Sequence, residues 1–440
     1  MVGNDNSHKV HRVTSAPSGP TNWAGNVSFR AARHHRPTSL DELQVLVADS
    51  ERLRVLGTGH SFNRIADTTG DLVSVGDLPI TCTVDGDRRT VTVAGGMRYG
   101  EVVGPLHQQG WALHNLGSLP HISVAGAVAT GTHGSGGGNG NLASAVRALE
   151  MVTADGELVS LDRDRDPETF PGCVVALGTL GVVTSLTLDV VPTYEMRQYV
   201  YDDLPFDQLA RHLDEVLSGA YSVSIFTDWQ DPVRGQVWLK RLDGEAGKPP
   251  EQWLGARLAD GPRHPVPGRP AGSCTQQLGD PGPWHERLPH FRLEFTPSSG
   301  EELQSEYFVA RDDATDALHA VAALRDRVAP VLQISEIRAV AADDLWLSPS
   351  YRQDSVALHF TWIADEDAVA PVVASVEAAL EPFRARPHWG KVFSTPPGVV
   401  AGRYERFADF ASLARRLDPA GKLRNDMVDA YVPRDATGDA

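Results

Sequence analysis

Two glycines and a histidine close a short apolar run at Arg54-Val55-Leu56-Gly57-Thr58-Gly59-His60-Ser61-Phe62-Asn63, and this loop restricts the fold more than any other stretch of the chain. Glycines at 57 and 59 let the backbone take turns closed to other residues and press against a ligand, with its N–H groups aimed at a pyrophosphate. His60 then sits beside whatever is bound. As a G-x-G-x-x-G fingerprint the loop fails, because Phe62 takes the place of the third glycine and no helix pattern follows. Taken alone, it reads equally well as a tight turn with a surface histidine.

A second glycine-rich stretch changes the balance. Eight glycines fall between Gly117 and Gly140, far above the ordinary frequency of about 7%. Glycine and serine often make a flexible linker, but Ile122, Val124, Ala127-Val128 and Leu142 interrupt this run with core-type residues. Backbone wrapped closely around a large flat ligand accounts for both features. Gly95-Gly96 and Ala176-Leu177-Gly178-Thr179-Leu180-Gly181-Val182-Val183 repeat the theme.

Around these loops the pattern is mixed. Ser39-Leu40-Asp41-Glu42 is a capping box, and the leucines after it predict a helix to about Ser50. Leu53 to Leu56, Leu72 to Val75 and Thr90 to Ala94 read as strands, Asn141 to Val152 as a helix leading into a strand, and Asp155-Gly156 as a hairpin turn. Beyond about Pro192 glycine thins, and strand-like runs alternate with amphipathic helices at Phe206 to Leu217 and Ala314 to Val328. Residues 242–290, rich in Pro and Gly, predict an irregular lid or surface excursion. A last helix is expected over Phe407 to Leu417.

At 440 residues two domains are the prior. A net charge of -17 argues against nucleic acid or an anionic membrane as partner. Cys82, Cys173 and Cys274 lie too far apart for a C-x-x-C site, so neither a disulfide framework nor a zinc site is expected, and a reducing cytoplasm fits. No H-E-x-x-H, G-x-S-x-G or G-K-[ST] phosphate loop occurs, and no metal is expected. Residues 1–21 are polar and expected to be disordered, and no run is long enough for a membrane span.

Gly57-Thr58-Gly59-His60-Ser61, Gly95-Gly96, and Ser118-Leu119-Pro120-His121-Ile122-Ser123-Val124-Ala125-Gly126 followed by Ala129-Thr130-Gly131-Thr132-His133-Gly134 resemble the vanillyl-alcohol-oxidase class of FAD enzymes. Within that class the match is nearest to the alditol oxidases and next to the sugar-1,4-lactone oxidases. It runs from about Asn22 to about Pro433. The resemblance implies an α+β fold in two parts: an FAD-binding domain over 22–192 completed by 396–440, and a substrate domain over 193–395 built on a mainly antiparallel sheet. It implies FAD bonded covalently through His60, with Gly57, Thr58, Gly59, Ser61, Phe62, Asn63, Gly95, Ser118, Ser123, Gly126, Thr130, Gly131, Thr132, His133, Gly181, Val183 and Asn425 around it. Some relatives tether the flavin again through cysteine; Gly117 to Gly134 contains none, so a single bond is implied.

Four pieces of the second half place polar groups on strand-like runs. In Gln333-Ile334-Ser335-Glu336-Ile337-Arg338 the period of two puts Glu336 and Arg338 on one face. His359 and Thr361 share a face in the same way, Gln304 precedes Glu306 on a third strand, and Lys391 is one of five lysines in a chain dominated by arginine. Each piece alone reads as a solvated, ion-paired sheet face. By the resemblance, Ser118, Gln304, Glu336, His359 and Thr361 hold a polyol's hydroxyls, and Arg338 and Lys391 flank the hydroxyl that is oxidised. Hydride loss from a C–H bond is easier when the attached O–H gives up its proton, so Lys391, Arg338 and Glu336 are the expected catalytic groups. The arginine is expected to lower the lysine's pKa, and Glu336 to orient Arg338. The implied activity is oxidation of a terminal alditol hydroxyl to the aldose, with oxygen reduced to hydrogen peroxide, by a monomer. A sugar-1,4-lactone oxidase and a non-catalytic flavin- or sugar-binding protein are the alternatives.

Overall fold

A computed structural model describes residues 20–434 except 231, 246 and 296–299. The expected disordered segment lies outside the described residues as far as residue 19. Thr21 already belongs to the fold, bridged to Ser28.

The helix Leu40–Asp49 starts where the capping box predicts, with Ser39 Oγ accepting from the Glu42 N–H at 3.2 Å. Its inward Leu43 and Val47 pack with Leu53, Val73, Val152, Val182 and Leu423 in one apolar cluster. Beside it lies a three-stranded parallel sheet in the order Arg33–His35, Asp71–Val73, Leu53–Val55. A five-stranded antiparallel sheet follows, ordered Cys82–Asp85, Thr90–Ala94, Val182–Asp189, Val146–Val152, Leu158–Asp162. The segment before Val146 is a 3₁₀ turn over Leu142–Ala145 capped by Asn141, not the expected helix. Four residues between the cap and the strand are too few to nucleate an α-helix.

Arg54 ties these parts together. It is buried, and its guanidinium donates to the carbonyls of Ile65, Leu177, Gly178 and Leu423. Leu177 is held at φ +55°, a left-handed conformation unusual for a branched residue, and its carbonyl is one of those Arg54 binds. Leu423 comes from the turn before the helix Asp426–Tyr431, so this late segment of the chain closes the same layer. Lys422 reinforces it by donating to the carbonyls of Val47, Ala48 and Ala154.

From Glu195 to Pro387 the chain builds a ten-stranded sheet in which every pairing is antiparallel. Strands Leu332–Val340, Ser355–Ile363 and Glu302–Ala310 are adjacent. One face carries Leu303, Tyr307, Ile337, Ala339, Val356, Leu358, Phe360 and Trp362, packed against residues of the helices Ala314–Ala322 and Glu366–Leu380. The helix expected over Phe206 to Leu217 is broken at His212 into Phe206–Arg211 and Leu213–Leu217, and that over Ala314 to Val328 into Ala314–Ala322 and Arg325–Val328. Among the described residues, no helix is long and apolar enough to cross a membrane, and no cluster of His, Cys, Asp and Glu has the makings of a metal site.

Candidate active site

The period of two on the three adjacent strands leaves Gln304 and Glu306, Glu336 and Arg338, and His359 and Thr361 on the face away from the helices. Register then aligns them across the sheet. Glu306 stands opposite His359, and His359 opposite Glu336, so two carboxylates flank one imidazole in a single row. Gln304 and Thr361 form the next row, and Arg338 lies one step the other way.

Lys391 reaches this face from a loop laid along the strand Glu302–Ala310, through His388 N–H to Glu306 O at 2.9 Å and Val392 N–H to Gln304 O at 2.8 Å. The glycine loop holds the lysine loop from the other side. Asn63 Nδ2 donates to the Trp389 and Lys391 carbonyls, each at 2.8 Å, and the Phe62 N–H to the Gly390 carbonyl at 2.7 Å. Lys391 Nζ donates to Gln304 Oε1 and lies 5.3 Å from the centre of the Phe62 ring.

These groups share one cavity of about 840 Å³ with the glycine loops. That is within the span of small-molecule sites, roughly 300 to 1,000 Å³. Its walls are the 57–63 loop, Gly95, Gly117, Ser118, Ser123, Gly126, Thr130, Thr132, His133, Gly181 and Val183 on one side, and Gln304, Glu336, Arg338, His359, Thr361 and Lys391 on the other. The close approach of loops needs glycine at two positions in particular. A Cβ on Gly95 would come within 2.5 Å of the Val183 carbonyl, and one on Gly96 within 2.4 Å of the Val75 carbonyl. A cavity lined by glycine loops on one side and a polar sheet face on the other fits a flavin dinucleotide. His60 lines it, stacked on Trp23 with ring centres 5.2 Å apart and Nδ1 at 3.0 Å from Thr58 Oγ1. Burial, then His121 and Lys391, draw its pKa down to about 4, so the ring is neutral and available as a nucleophile.

Two expected cofactor residues stand elsewhere. Gly131, at φ +69°, packs against Pro349, and Asn425 caps the helix Asp426–Tyr431 while donating to the carbonyls of Arg64, Ile65 and Asp67. Neither is among the cavity's walls. Asn63 lines the cavity, but its amide is engaged by the lysine loop.

Sequence reasoning passed over the group at the centre. Glu306 is buried; its Oε1 accepts from Arg338 Nη2 and lies 3.0 Å from His133 Nε2, and its Oε2 lies 3.7 Å from His359 Nδ1. Burial alone would raise its pKa, but Arg338 above all, with His133 next, holds it well below the usual carboxylate range. Arg338 is therefore anchored chiefly by Glu306, with Glu336 at 3.6 Å, rather than by Glu336 as the sequence suggested. Its Nη1 reaches Ser118 Oγ at 3.4 Å. Glu336 accepts instead from His290 Nε2 at 2.8 Å. Like Glu306, Glu336 has burial opposing its ionisation and Arg338 and His290 outweighing it, so both carboxylates are charged.

Lys391 has its pKa lowered to about 8. The chief cause is burial; Glu306 opposes it, and Arg338, the cause expected from sequence, adds a smaller push downward. An amine that releases its proton near neutrality stands beside a permanently charged guanidinium. His359, with Nε2 at 3.1 Å from Thr361 Oγ1, is held neutral by burial and then by Lys391. Two buried nitrogens at this face, Arg338 Nε and His359 Nδ1, have no hydrogen-bond partner among the described residues.

Residues 32–162 match the FAD binding domain family, and residues 300–431 match the D-arabinono-1,4-lactone oxidase family. An alditol oxidase of a Streptomyces species is 54% identical over 411 residues, 93% of this chain and 97% of that protein. An L-gulono-1,4-lactone dehydrogenase of Mycobacterium tuberculosis is 29% identical over the same shares of the two chains. Among solved structures, a cholesterol oxidase of Brevibacterium sterolicum superposes with a TM-score of 0.72 at 14% identity, covering 96% of this chain and 100% of that one, a likeness of fold alone. With 54% identity to the Streptomyces enzyme over nearly the full length of both, the chain belongs to the vanillyl-alcohol-oxidase-type FAD oxidoreductases, in the family of alditol oxidase.

Proposed function

We propose that this protein oxidises the terminal hydroxyl of an alditol of the xylitol or sorbitol type to the aldose and passes the electrons to oxygen, giving hydrogen peroxide. The observation that carries the reading is two adjoining rows of hydroxyl-reading side chains, Gln304 with Thr361 and His359 with Glu336, set across three adjacent strands beside Lys391 and Arg338. Bound FAD supplies the acceptor for the hydride. Lys391, with its pKa near 8, takes the proton of the reacting hydroxyl. Arg338, fixed by Glu306, neutralises the alkoxide charge that develops on that oxygen. Glu336 accepts from the neighbouring hydroxyl, and Ser118, Gln304, His359 and Thr361 bind the rest of the chain.

A substrate without matching hydroxyls leaves such groups unpaired, at about 1 to 3 kcal/mol each. Open-chain polyols are therefore preferred over 1,4-lactones and simple alcohols. The neutral ring of His60 in the cavity supports a covalent bond to the flavin. The reading also takes the protein as a cytoplasmic monomer, in which residues 22–192 with 396–440 hold FAD and 193–395 hold substrate.

Oxygen uptake and peroxide release with xylitol, sorbitol, a 1,4-lactone and ethanol test this. The two polyols should turn over fastest. Faster lactone turnover, or activity only with an artificial dye acceptor, overturns the reading.

A further inference from the structure

Next to Glu336 stands a buried pair that the reaction described above does not use: His290, in the same cavity wall, and Lys240 on the far side of its ring. His290 closes the 242–290 excursion, and its ring sits between Phe226 and Trp238, both edge-on, with centres at 5.3 and 5.5 Å. Its Nε2 is 2.8 Å from Glu336 Oε1, and its Nδ1 is 3.1 Å from Lys240 Nζ. Its backbone N–H donates to the Ser118 carbonyl at 3.2 Å. One residue thus touches two of the groups assigned to substrate.

Lys240 is fully buried on the strand Arg234–Leu242, and three acceptors converge on its Nζ: the Leu288 carbonyl, the Pro289 carbonyl at 3.2 Å and His290 Nδ1. Three acceptors match the three N–H groups of an ammonium, which can donate and not accept. With Lys240 donating, Nδ1 of the imidazole must be the bare nitrogen. The ring's proton is then on Nε2, pointing at Glu336. Burial, with Lys240 next, holds the pKa of His290 down at about 4, in keeping with a neutral ring. Burial also lowers the pKa of Lys240, to about 7, with Glu336 opposing.

We infer that His290, fixed as its Nε2–H tautomer by Lys240, is a positioning residue that aims the Glu336 carboxylate at the hydroxyl next to the one oxidised, and so sets the preference for vicinal diols. The inference rests on the alditol reading above. A carboxylate with one oxygen tied by His290 presents its other lone pairs in a fixed direction. Without the tie it is free to turn wholly toward Arg338, whose Nε lies 3.6 Å away.

The test compares 1,2-butanediol with 1,3-butanediol, isomers that differ in whether a hydroxyl neighbours the primary alcohol. Wild type should favour the 1,2 isomer. In His290→Leu that preference should fall roughly tenfold to a hundredfold, the worth of a hydrogen bond to a charged group, through the KM for the 1,2 isomer, with flavin content unchanged. His290→Gln, whose amide can still donate to Glu336, should restore most of it. Lys240→Met should lower it too, which keeps the inference testable if the leucine variant does not fold. Nitrogen-15 spectra of histidine-labelled wild type should show His290 protonated on Nε2 alone. Equal losses with both diols, no loss, no rescue by glutamine, or a proton on Nδ1 would each overturn the inference while leaving the alditol reading intact. Failure of wild type to oxidise any polyol would bring down both.

Discussion

Replacing Glu306 by glutamine removes a charge at the centre of the site with almost no change in shape. The amide oxygen can take the place of Oε1, which receives Arg338 Nη2 and faces His133 Nε2. The amide nitrogen then faces His359 Nδ1, 3.7 Å from the present Oε2 and otherwise unpartnered among the described residues. Breaking a buried ion pair outright costs about 3 to 5 kcal/mol. Here the hydrogen bonds survive and Glu336 remains near Arg338, so about 2 kcal/mol of stability should be lost. The larger effect is on Lys391. Its pKa is lowered to about 8 by burial against the upward pull of Glu306, so removing that negative charge must lower it further. A unit charge a few ångströms away in a half-buried site is worth on the order of 2 kcal/mol, about one to two pKa units. If the free amine is the base, wild-type flavin reduction rises as pH increases through about 8. In Glu306→Gln the rise should come at least about one unit earlier. Its plateau should be about tenfold or more lower, because Arg338 has lost its nearest anchor. Anaerobic stopped-flow reduction with xylitol, followed from about pH 5 to pH 10, measures both. A midpoint that stays in place or moves to higher pH would refute the assignment of the proton to Lys391 and of its tuning to Glu306.

Lys391→Met should cut the reductive rate by about a hundredfold or more with flavin content little changed; reduction at the native rate would exclude Lys391 as base. His60→Ala should release flavin that stays with wild type through acid precipitation, and a colourless wild-type precipitate would rule out the covalent bond. Arg54→Met orphans the carbonyls of Ile65, Leu177, Gly178 and Leu423 and should cost at least about 4 kcal/mol in chemical unfolding, with loss of flavin. At Gly117 a Cβ would meet nothing closer than 3.8 Å, so a side chain can begin there without a clash. If, as the family resemblance implies, the flavin's oxygen-reactive edge lies at this point, Gly117→Val should slow reoxidation by oxygen about tenfold or more while leaving polyol reduction near the native rate; equal slowing of both steps would show that the residue does not gate oxygen.

What could be read in the sequence follows from which forces are local. The glycine loops were legible because backbone packed against backbone or ligand excludes side chains at defined positions, and Gly95 and Gly96 meet that constraint in the structure. Glu336 with Arg338, and His359 with Thr361, were legible because alternation along one strand is a property of that strand alone. Glu306 obeys the same alternation, two residues beyond Gln304, and the signal for it was present. What the sequence does not carry is register: that Glu306, His359 and Glu336 form one row depends on how three strands, separated by helices and loops of different lengths, slide against one another. Without the row, a glutamate beside a tyrosine and a phenylalanine looks like an ordinary strand residue. With it, Glu306 becomes the carboxylate that fixes Arg338 and holds up the pKa of Lys391. Asn425 is a case of the other kind. Its place before Asp426-Met427-Val428 is that of a helix cap, and its side chain accepts from the Val428 N–H at 2.9 Å, so a local backbone role accounts for a residue that resemblance had given to the cofactor. His290 was beyond both kinds of reading, since it arrives on an irregular excursion with no period to betray its face. Only the folded chain brings it between Lys240 and Glu336, and there the chemistry of the substrate end depends on a segment that sequence patterns describe least.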